Sequence, residues 1–514
     1  MKLSLRNAAL AALLPLAVTA LAGNSLTLGD PATIDRIVDE GKNHSHVMRF
    51  LTTLTQKIGP RLTSSPRLTK AENWGLSEFR KMGCTNVHLE KWGEAPVGWD
   101  RGGQQVARMV EPFQTDMVFT TPAWTNGTRG IQRGKVVRAP ATPEEVAQSP
   151  DKYKGAWVLM APPTGGGGGR PAGGPPGGGR PGGGAGRGAG AGAGGGAAAP
   201  PAGGQVAPSP VQLLRDALEK AGALGTITGS RNELVVTGGT WRDKTFANHP
   251  GIPQVTVRKS DYDRLSRNLD FGRNVAVEIG AENHWYKGPV AIHNVVAEIR
   301  GTEKPDEVVI VSGHLDSWNG PGSQGALDNG TGTCTALEAA RILTRVGAKP
   351  KRTIRFILWT GEEEGLFGST DYVKTHEAEL PKISAVLVDD GGTNYQGGYQ
   401  GLASQQALFE EAFAPSVKAF PEMPMKFVAV SGDRMPRGGG SDHAPFNRVG
   451  VPGFFTLETG RSDYNFVHHT QHDRLEMAIP EYLVQSATNH AVVAYNLACA
   501  PDMVPREPKQ PAGN

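Results

Sequence analysis

Three features of this 514-residue sequence predict an α/β fold built on a doubly wound, mostly parallel sheet with helices on both faces. From about Pro289 onward, apolar strand-like runs alternate with segments of helical periodicity. The runs are rich in Val and Ile throughout, as strands covered on both faces must be. Each run ends in a cluster of glycine with acidic or histidine residues. Strands alternating with helices give this architecture, and its ligands gather beyond the carboxyl ends of the strands.

The elements follow in order. "MKLSLRNAALAALLPLAVTALAGN" has Lys2 and Arg6, an apolar run, and then Ala20-Leu21-Ala22. That is the order of a secretory signal over residues 1–22, cleaved after Ala22. The run is short of the roughly 20 residues a membrane span requires. An exported chain with no transmembrane span after cleavage is expected, either periplasmic or extracellular. Residues 31–83 read as helical, with stops at Gly59-Pro60 and Gly83, and "NVHLEKW" alternates as a strand. From Met117 the texture changes to short Val-rich strands: "GKVVRA", "GAWVLMA" and "PQVTVRKSDY". Between them, residues 164–204 are so dense in Gly and Pro that ordering them is not offset by burial, which predicts a disordered loop. The helix-like "VQLLRDALEKAGALGTITG" then resumes a small α+β unit. The boundaries are 23–116 for the N-terminal part of the catalytic domain, 117–285 for the inserted unit and 286–514 for the main catalytic domain.

In that last part "DEVVIVSGHLD", "RTIRFILWTGEEEG" and "ISAVLVDDGG" read as strands, with helices "GTCTALEAARILTRVG" and "LFGSTDYVKTHEAEL" between them. A net charge of +3 with 20% charged residues shows no basic stripe, so nucleic acid is not an expected partner. The three cysteines form no CxxC and carry no expected chemistry.

The strand ends carry the chemistry. The first places His314 and Asp316, the second Glu362, Glu363 and Glu364, and the third Asp389 and Asp390. Asp328 stands at the helix start between the first two. Histidine with carboxylates is a zinc-ligand set. A carboxylate can bridge two metals roughly 3.5–4 Å apart. Asp328, among Gly325, Gly330 and Gly332, is the bridge candidate, because the glycines let backbone approach closely. Asp316 is expected to fix the tautomer of His314 rather than to bind metal. Of Glu362 and Glu363, one binds metal and the other takes a proton from water. Near the carboxyl end, "GGGSDHAPF" and "YNFVHHTQHDRL" add His443, His468, His469 and His472.

These residues resemble the co-catalytic zinc exopeptidases of metallopeptidase family twenty-eight. The resemblance lies in "IGPRLTSS", "HLDSWNGPGSQGALDNGTG", "WTGEEEGLFGS", "VDDGGT", "GGSDHAPF" and "HHTQHD", and covers most of the mature chain. Within the family the wording "GHLDSW…QGALDNG" is similar to the carboxypeptidase Q branch. The resemblance implies two zinc ions per chain. It gives His314 and Asp390 to the first site, Glu363 and His469 to the second, and Asp328 to both. Asp389 remains an alternative to Asp390. Glu362 is implied as general base and Asp316 as the residue that orients His314. His443 is a residue near the site. Asn329 stands where the family often has a second aspartate, and His468 where it often has an oxyanion-supporting tyrosine. The inserted unit resembles a protease-associated domain. The implied activity is hydrolysis of small peptides by a dipeptidase or carboxypeptidase, with an aminopeptidase as the alternative. Arg434 and Arg437 are candidates to meet a substrate carboxylate. A homodimer is compatible with this reading. A glutaminyl-cyclase-like acyltransferase and a metal-free binding module are the readings from other classes; the presence of His314 and of every ligand argues against them.

Overall fold

The computed structural model describes residues 28–161, 209–249 and 251–508. The signal-like segment 1–22 and the Gly/Pro-rich stretch 164–204 lie outside the described residues.

The strands, in chain order, are β1 (Thr85–Glu111), β2 (Thr115–Asp116), β3 (Phe119–Thr120), β4 (Gln132–Arg138), β5 (Ala156–Leu159), β6 (Gly225–Gly229), β7 (Gln254–Val257), β8 (Ala276–Ile299), β9 (Lys304–His314), β10 (Arg352–Trp359), β11 (Ile383–Val388), β12 (Tyr395–Gly401), β13 (Lys426–Ala429) and β14 (Gly453–Thr459). They form one sheet in the order β13-β12-β14-β11-β9-β10-β8-β4-β5-β6-β7-β3, with β1 paired along β8. The centre is parallel: β10 on β9, β11 on β9 and β14 on β11. The segment 117–285 contributes its own parallel run, β4-β5-β6-β7.

The antiparallel ribbon of β1 and β8 joins the two halves. At about 3.4 Å per residue, its 24 residues of β8 would span roughly 80 Å if fully extended. One end of β8 pairs with β10 and the other with β4. The sequence reading catches only one end of this ribbon, at "NVHLEKW" and the "AIHNVVAEIRG" it pairs with, because Gly, Pro and charged residues interrupt the rest and five register shifts absorb them.

Each half of the sheet has its own core. In the catalytic half the buried faces of β9 and β10 pack with the helices Thr331–Arg345 and Pro480–Cys499 around Val309, Val311, Phe356, Leu337 and Val492. In the other half Met109, Phe119, Trp157, Ile227, Tyr262 and Val277 form a separate cluster. The helix Pro66–Met82 has its predicted stop, Gly83, which closes the end in the left-handed region, and it starts where the Ser65 side chain caps the Leu68 N–H. The first predicted helix is broken instead. It runs as Pro31–Asn43, then restarts at Val47.

Candidate metal centre

Register brings the strand ends together. His314, the last residue of β9, lies beside Trp359 of β10, and Val388 of β11 lies beside Ser312. β9 is therefore flanked on one side by Glu362 and Glu363 and on the other by Asp389 and Asp390. This follows from three adjacent parallel strands ending at one level.

His314 is buried, and its Nε2 lies 3.1 Å from Asp390 Oδ1, 3.4 Å from Asp328 Oδ1 and 3.9 Å from Glu362 Oε2. The other oxygen of Asp328 faces the opposite way, 3.2 Å from His469 Nε2 and 3.8 Å from His468 Nε2. His469 Nε2 is also 2.9 Å from Glu363 Oε2. Asp328 thus stands with one oxygen toward each group of side chains.

The two aspartates after β11 differ. Asp390 faces His314, whereas Asp389 Oδ2 accepts hydrogen bonds from Thr335 and Gln396 at 3.0 and 2.8 Å. The Asp389 carbonyl also accepts from the Asn329 side chain at 2.7 Å, a contact that steadies the turn carrying Asp328. A Cβ at Gly332 would strike this same carbonyl, so the close approach requires glycine there. Asp316 meets His314 through both backbone and side chain. His314 Nδ1 bonds the backbone carbonyl of Asp316 at 3.0 Å, while its carboxylate Oδ1 lies 3.6 Å away. The carboxylate's Oδ2 instead accepts from the Thr63 hydroxyl and the Glu363 N–H. His443 is buried behind the glycines 439–440, edge-on to Phe455, with no hydrogen bond to Nδ1. Burial pushes its pKa down to about 4.

Electrostatics separate the carboxylates. Asp328 is held well below the usual carboxylate range: burial opposes this, but His314 and His469 on either side overcome it. Burial, reinforced by Asp390 and Asp442 and only partly offset by His314, drives Glu362 well above its ordinary value. Glu363 rises to about 7 through burial and the adjacent Asp328. Burial alone would lower His469, but Glu363 and Asp328 raise it to about 10.

The donor set fits divalent metal. Atoms of His314, Asp328 and Asp390 converge within 4.8 Å of one another, as do those of Asp328, His468 and His469. Asp328 Oδ2 is buried and makes no well-formed hydrogen bond; only the His469 and His468 ring nitrogens stand near it, at 3.2 and 3.8 Å, an arrangement that a metal cation between them would complete.

The centre opens into a cavity of about 720 Å³. Its lining includes Glu362, Asp390, Tyr464 and His468, and also Trp241 and Arg242 from the segment 117–285. Neither Arg434 nor Arg437 lines it. Arg437 is engaged with the carbonyls of Asn447 and Arg448 and with Glu507. The cations that do reach the cavity are Arg242 and Arg448.

Sequence reasoning missed several contributors. Tyr464 lies four residues before His468 on a short helical turn; burial and the surrounding carboxylates hold its phenol protonated. Asp473 accepts from the N–H groups of Leu327 and Asp328 and so fixes the bridge residue. Arg61 is fully buried and donates to the carbonyls of Leu315, Gly59, Gln324 and Gly325. Trp241 packs edge-on to Phe367. The "IGPRLTSS" motif around Arg61 was a usable signal; for Trp241 the sequence offered none.

Known proteins resemble this chain over most of its length. Residues 294–494 match the model of Peptidase family M28. The chain is 29% identical to carboxypeptidase Q of Mus musculus over 472 residues, covering 91% of this chain and 88% of that one. It is 27% identical to carboxypeptidase Q of Homo sapiens over 470 residues, with the same coverage. Among solved structures, a peptidase M28 precursor from Shewanella amazonensis SB2B superposes with a TM-score of 0.61 at 21% identity, over 93% of this chain and 99% of that one. A zinc aminopeptidase from Bacillus subtilis gives 0.51 at 19% identity, over 89% and 98%. The fold is the one these peptidases share; residues 294–494 are a peptidase family M28 domain, and the protein is a metallopeptidase.

Proposed function

We propose that this protein is an exported di-zinc exopeptidase that hydrolyses small peptides in the manner of a dipeptidase or carboxypeptidase. The observation that carries the reading is the carboxylate of Asp328, with His314 near one oxygen and His469 near the other. In this reading His314, Asp328 and Asp390 hold one zinc, and Asp328, Glu363 and His469 hold the other. Zinc held there would acidify water and polarise the scissile carbonyl.

The chain's own groups do the rest. Glu362 lines the cavity and lies 3.9 Å from His314, farther than Asp390 and Asp328. Its raised proton affinity suits a group that takes a proton from water and returns it to the leaving amine nitrogen. Glu363 is occupied by the Trp318 N–H at 3.1 Å and by His469, so the two adjacent glutamates divide the work. Burial holds His468 below its ordinary pKa, so its neutral ring can donate to the developing oxyanion. Tyr464, whose ring centroid is 5.0 Å from that of His468, is a second donor.

A substrate carboxylate would meet Arg242 or Arg448 across the cavity. This favours cleavage next to a free carboxyl terminus, as the name carboxypeptidase Q of the relatives also does. The aminopeptidase reading is favoured by a different observation, the zinc aminopeptidase among the structural neighbours. We assign the segment 117–285 as a protease-associated-like insert, on the strength of its separate core. Export rests on the sequence of residues 1–22.

The test is hydrolysis of a matched set by the zinc-loaded mature chain, with a chelator control. The set is a free dipeptide, its amino-blocked and carboxyl-amidated forms, and an aminoacyl anilide. The proposal expects cleavage only where the carboxylate is free. Cleavage of the anilide and amide but not the amino-blocked peptide would make the enzyme an aminopeptidase. No cleavage with both zincs bound would remove the peptidase reading.

A further inference from the structure

We infer that Gln471 is a positioning residue that ties the inserted segment to the turn carrying His469, so that the second group of ligand atoms is held by both halves of the molecule. The inference rests on the two-metal reading above. His469 has a φ of +60°. That left-handed conformation is unfavourable for a residue with a Cβ and persists only where its surroundings enforce it.

The enforcement comes from two sides. Within the catalytic half the Trp318 ring stands edge-on to His469, 5.9 Å between centroids, and Gln324 N–H bonds the Asp473 carbonyl at 2.8 Å. From the other half, Thr237 N–H donates to the carbonyl of His469 itself at 3.0 Å. Gln471 completes the joint. Its Oε1 accepts from Val235 N–H at 3.0 Å, and its Nε2 donates to the Glu233 carbonyl at 3.1 Å. One side-chain amide thus serves residues 233 and 235 as a neighbouring strand would. Thr237 is fixed in turn by the Thr120 hydroxyl at 2.8 Å, and Gly238 by the Ala123 N–H at 2.9 Å. The same stretch continues to Trp241 and Arg242 in the cavity wall.

The other group of ligand atoms has no such dependence. His314 and Asp390 stand at the ends of β9 and β11 and are set by sheet register. Loss of the Gln471 amide should therefore loosen one metal and spare the other. Support around metal ligands of this kind is typically worth about 10- to 100-fold in metal affinity.

The test uses the full mature chain as Gln471→Ala and Gln471→Glu. The two zinc dissociation constants are measured by competition with a chromophoric chelator, and amide exchange over 233–237 is measured without metal. In Gln471→Ala one constant is expected to rise about 10-fold or more while the other stays within about 2-fold. Exchange at Val235 and Thr237 should speed up, and kcat at saturating zinc should return to the wild-type value. Gln471→Glu keeps the acceptor for Val235 but not the donor to Glu233, and should fall between. Unchanged constants in Gln471→Ala, or both rising together with a lower Tm, would overturn the inference. If the wild-type chain binds fewer than two zincs, the two-metal reading falls, and the metal-free exchange at Val235 and Thr237 still decides whether Gln471 joins the halves.

Discussion

The two halves of the long sheet build the centre by different means. In the catalytic half, three parallel strands end at one level, so ligands spaced far apart in sequence arrive together by register alone. The other half supplies none of the candidate ligands. It supplies a wall, through Trp241 and Arg242, and a clamp, through Thr237 N–H on the His469 carbonyl. Chemistry written at strand ends is rigid and local, whereas chemistry contributed by docking depends on contacts between residues more than two hundred positions apart. Perturbing each half should therefore damage different quantities.

The largest effects belong to the strand ends. Glu362→Gln removes the proton acceptor but keeps the shape, and turnover should fall by about 10²- to 10⁴-fold with zinc content and Tm unchanged. Near-normal turnover in that variant would sink the assignment. Asp328→Ala removes an oxygen from both groups of ligand atoms at once. Elemental analysis should then show both zincs lost; retention of one would mean that Asp328 is not shared.

Arg242→Ala tests the wall. A hydrogen bond to a charged group contributes about 1.5–3 kcal/mol, so KM for peptides with a free carboxylate should rise roughly 10- to 100-fold. Amidated peptides should stay uncleaved, as with the wild-type enzyme, and kcat on the free peptides should change little. A fall in kcat and Tm with KM unchanged would show instead that Arg242 acts through packing on Phe367, over which its guanidinium lies at 4.3 Å.

This division also explains what the sequence could reveal. His314, Glu362, Glu363 and the Asp389-Asp390 pair were legible as candidates because three successive apolar strands each end in an acid or histidine, and Asp328 because it stands at the helix start between two of them. The resemblance favoured Asp390 and kept Asp389 as an alternative, since adjacent residues at a strand end point oppositely and only register says which faces His314. Tyr464 and Asp473 were hidden because their roles depend on how the loop 464–475 folds back over Asp328. Arg242 and Gln471 were hidden more deeply. Each sits in a polar stretch with no periodicity, and each matters only through the other half. Arg437 shows the converse: its chain position beside the "GGGSDH" motif suggested a substrate contact, and Glu507 from the distant carboxyl end takes it up instead.

The smallest effect sharpens the comparison most, because it reads the centre without any substrate. Burial raises Glu363 to about 7, Asp473 to about 7, Asp442 to about 8 and Asp389 to about 6. In the unfolded chain these carboxyls release their protons near pH 4. Between about pH 4 and 8 these carboxyls therefore bind more protons in the folded, metal-free protein than in the unfolded chain, and their contribution to stability falls as pH rises. His469, raised to about 10, acts in the same direction: its stabilising proton is retained at low pH and is lost as pH approaches 10. Asp328 acts oppositely, but its lowered pKa matters only below its ordinary value near 3.8, outside this window. His443, lowered to about 4, His490, lowered to about 3, and His468, held below its ordinary value, act oppositely, but only below the ordinary histidine value of about 6.5. Above that the remaining shifts share one sign, so Tm of the chelator-treated protein should drop from about pH 6.5 to about pH 8. Zinc supplies the charge that the carboxylates lack, and its own binding strengthens as ligands lose protons. The zinc-loaded protein should then show a flat or rising Tm over the same range. Parallel curves with and without zinc would mean that these carboxyls do not gather around metal, whatever the separation of their atoms.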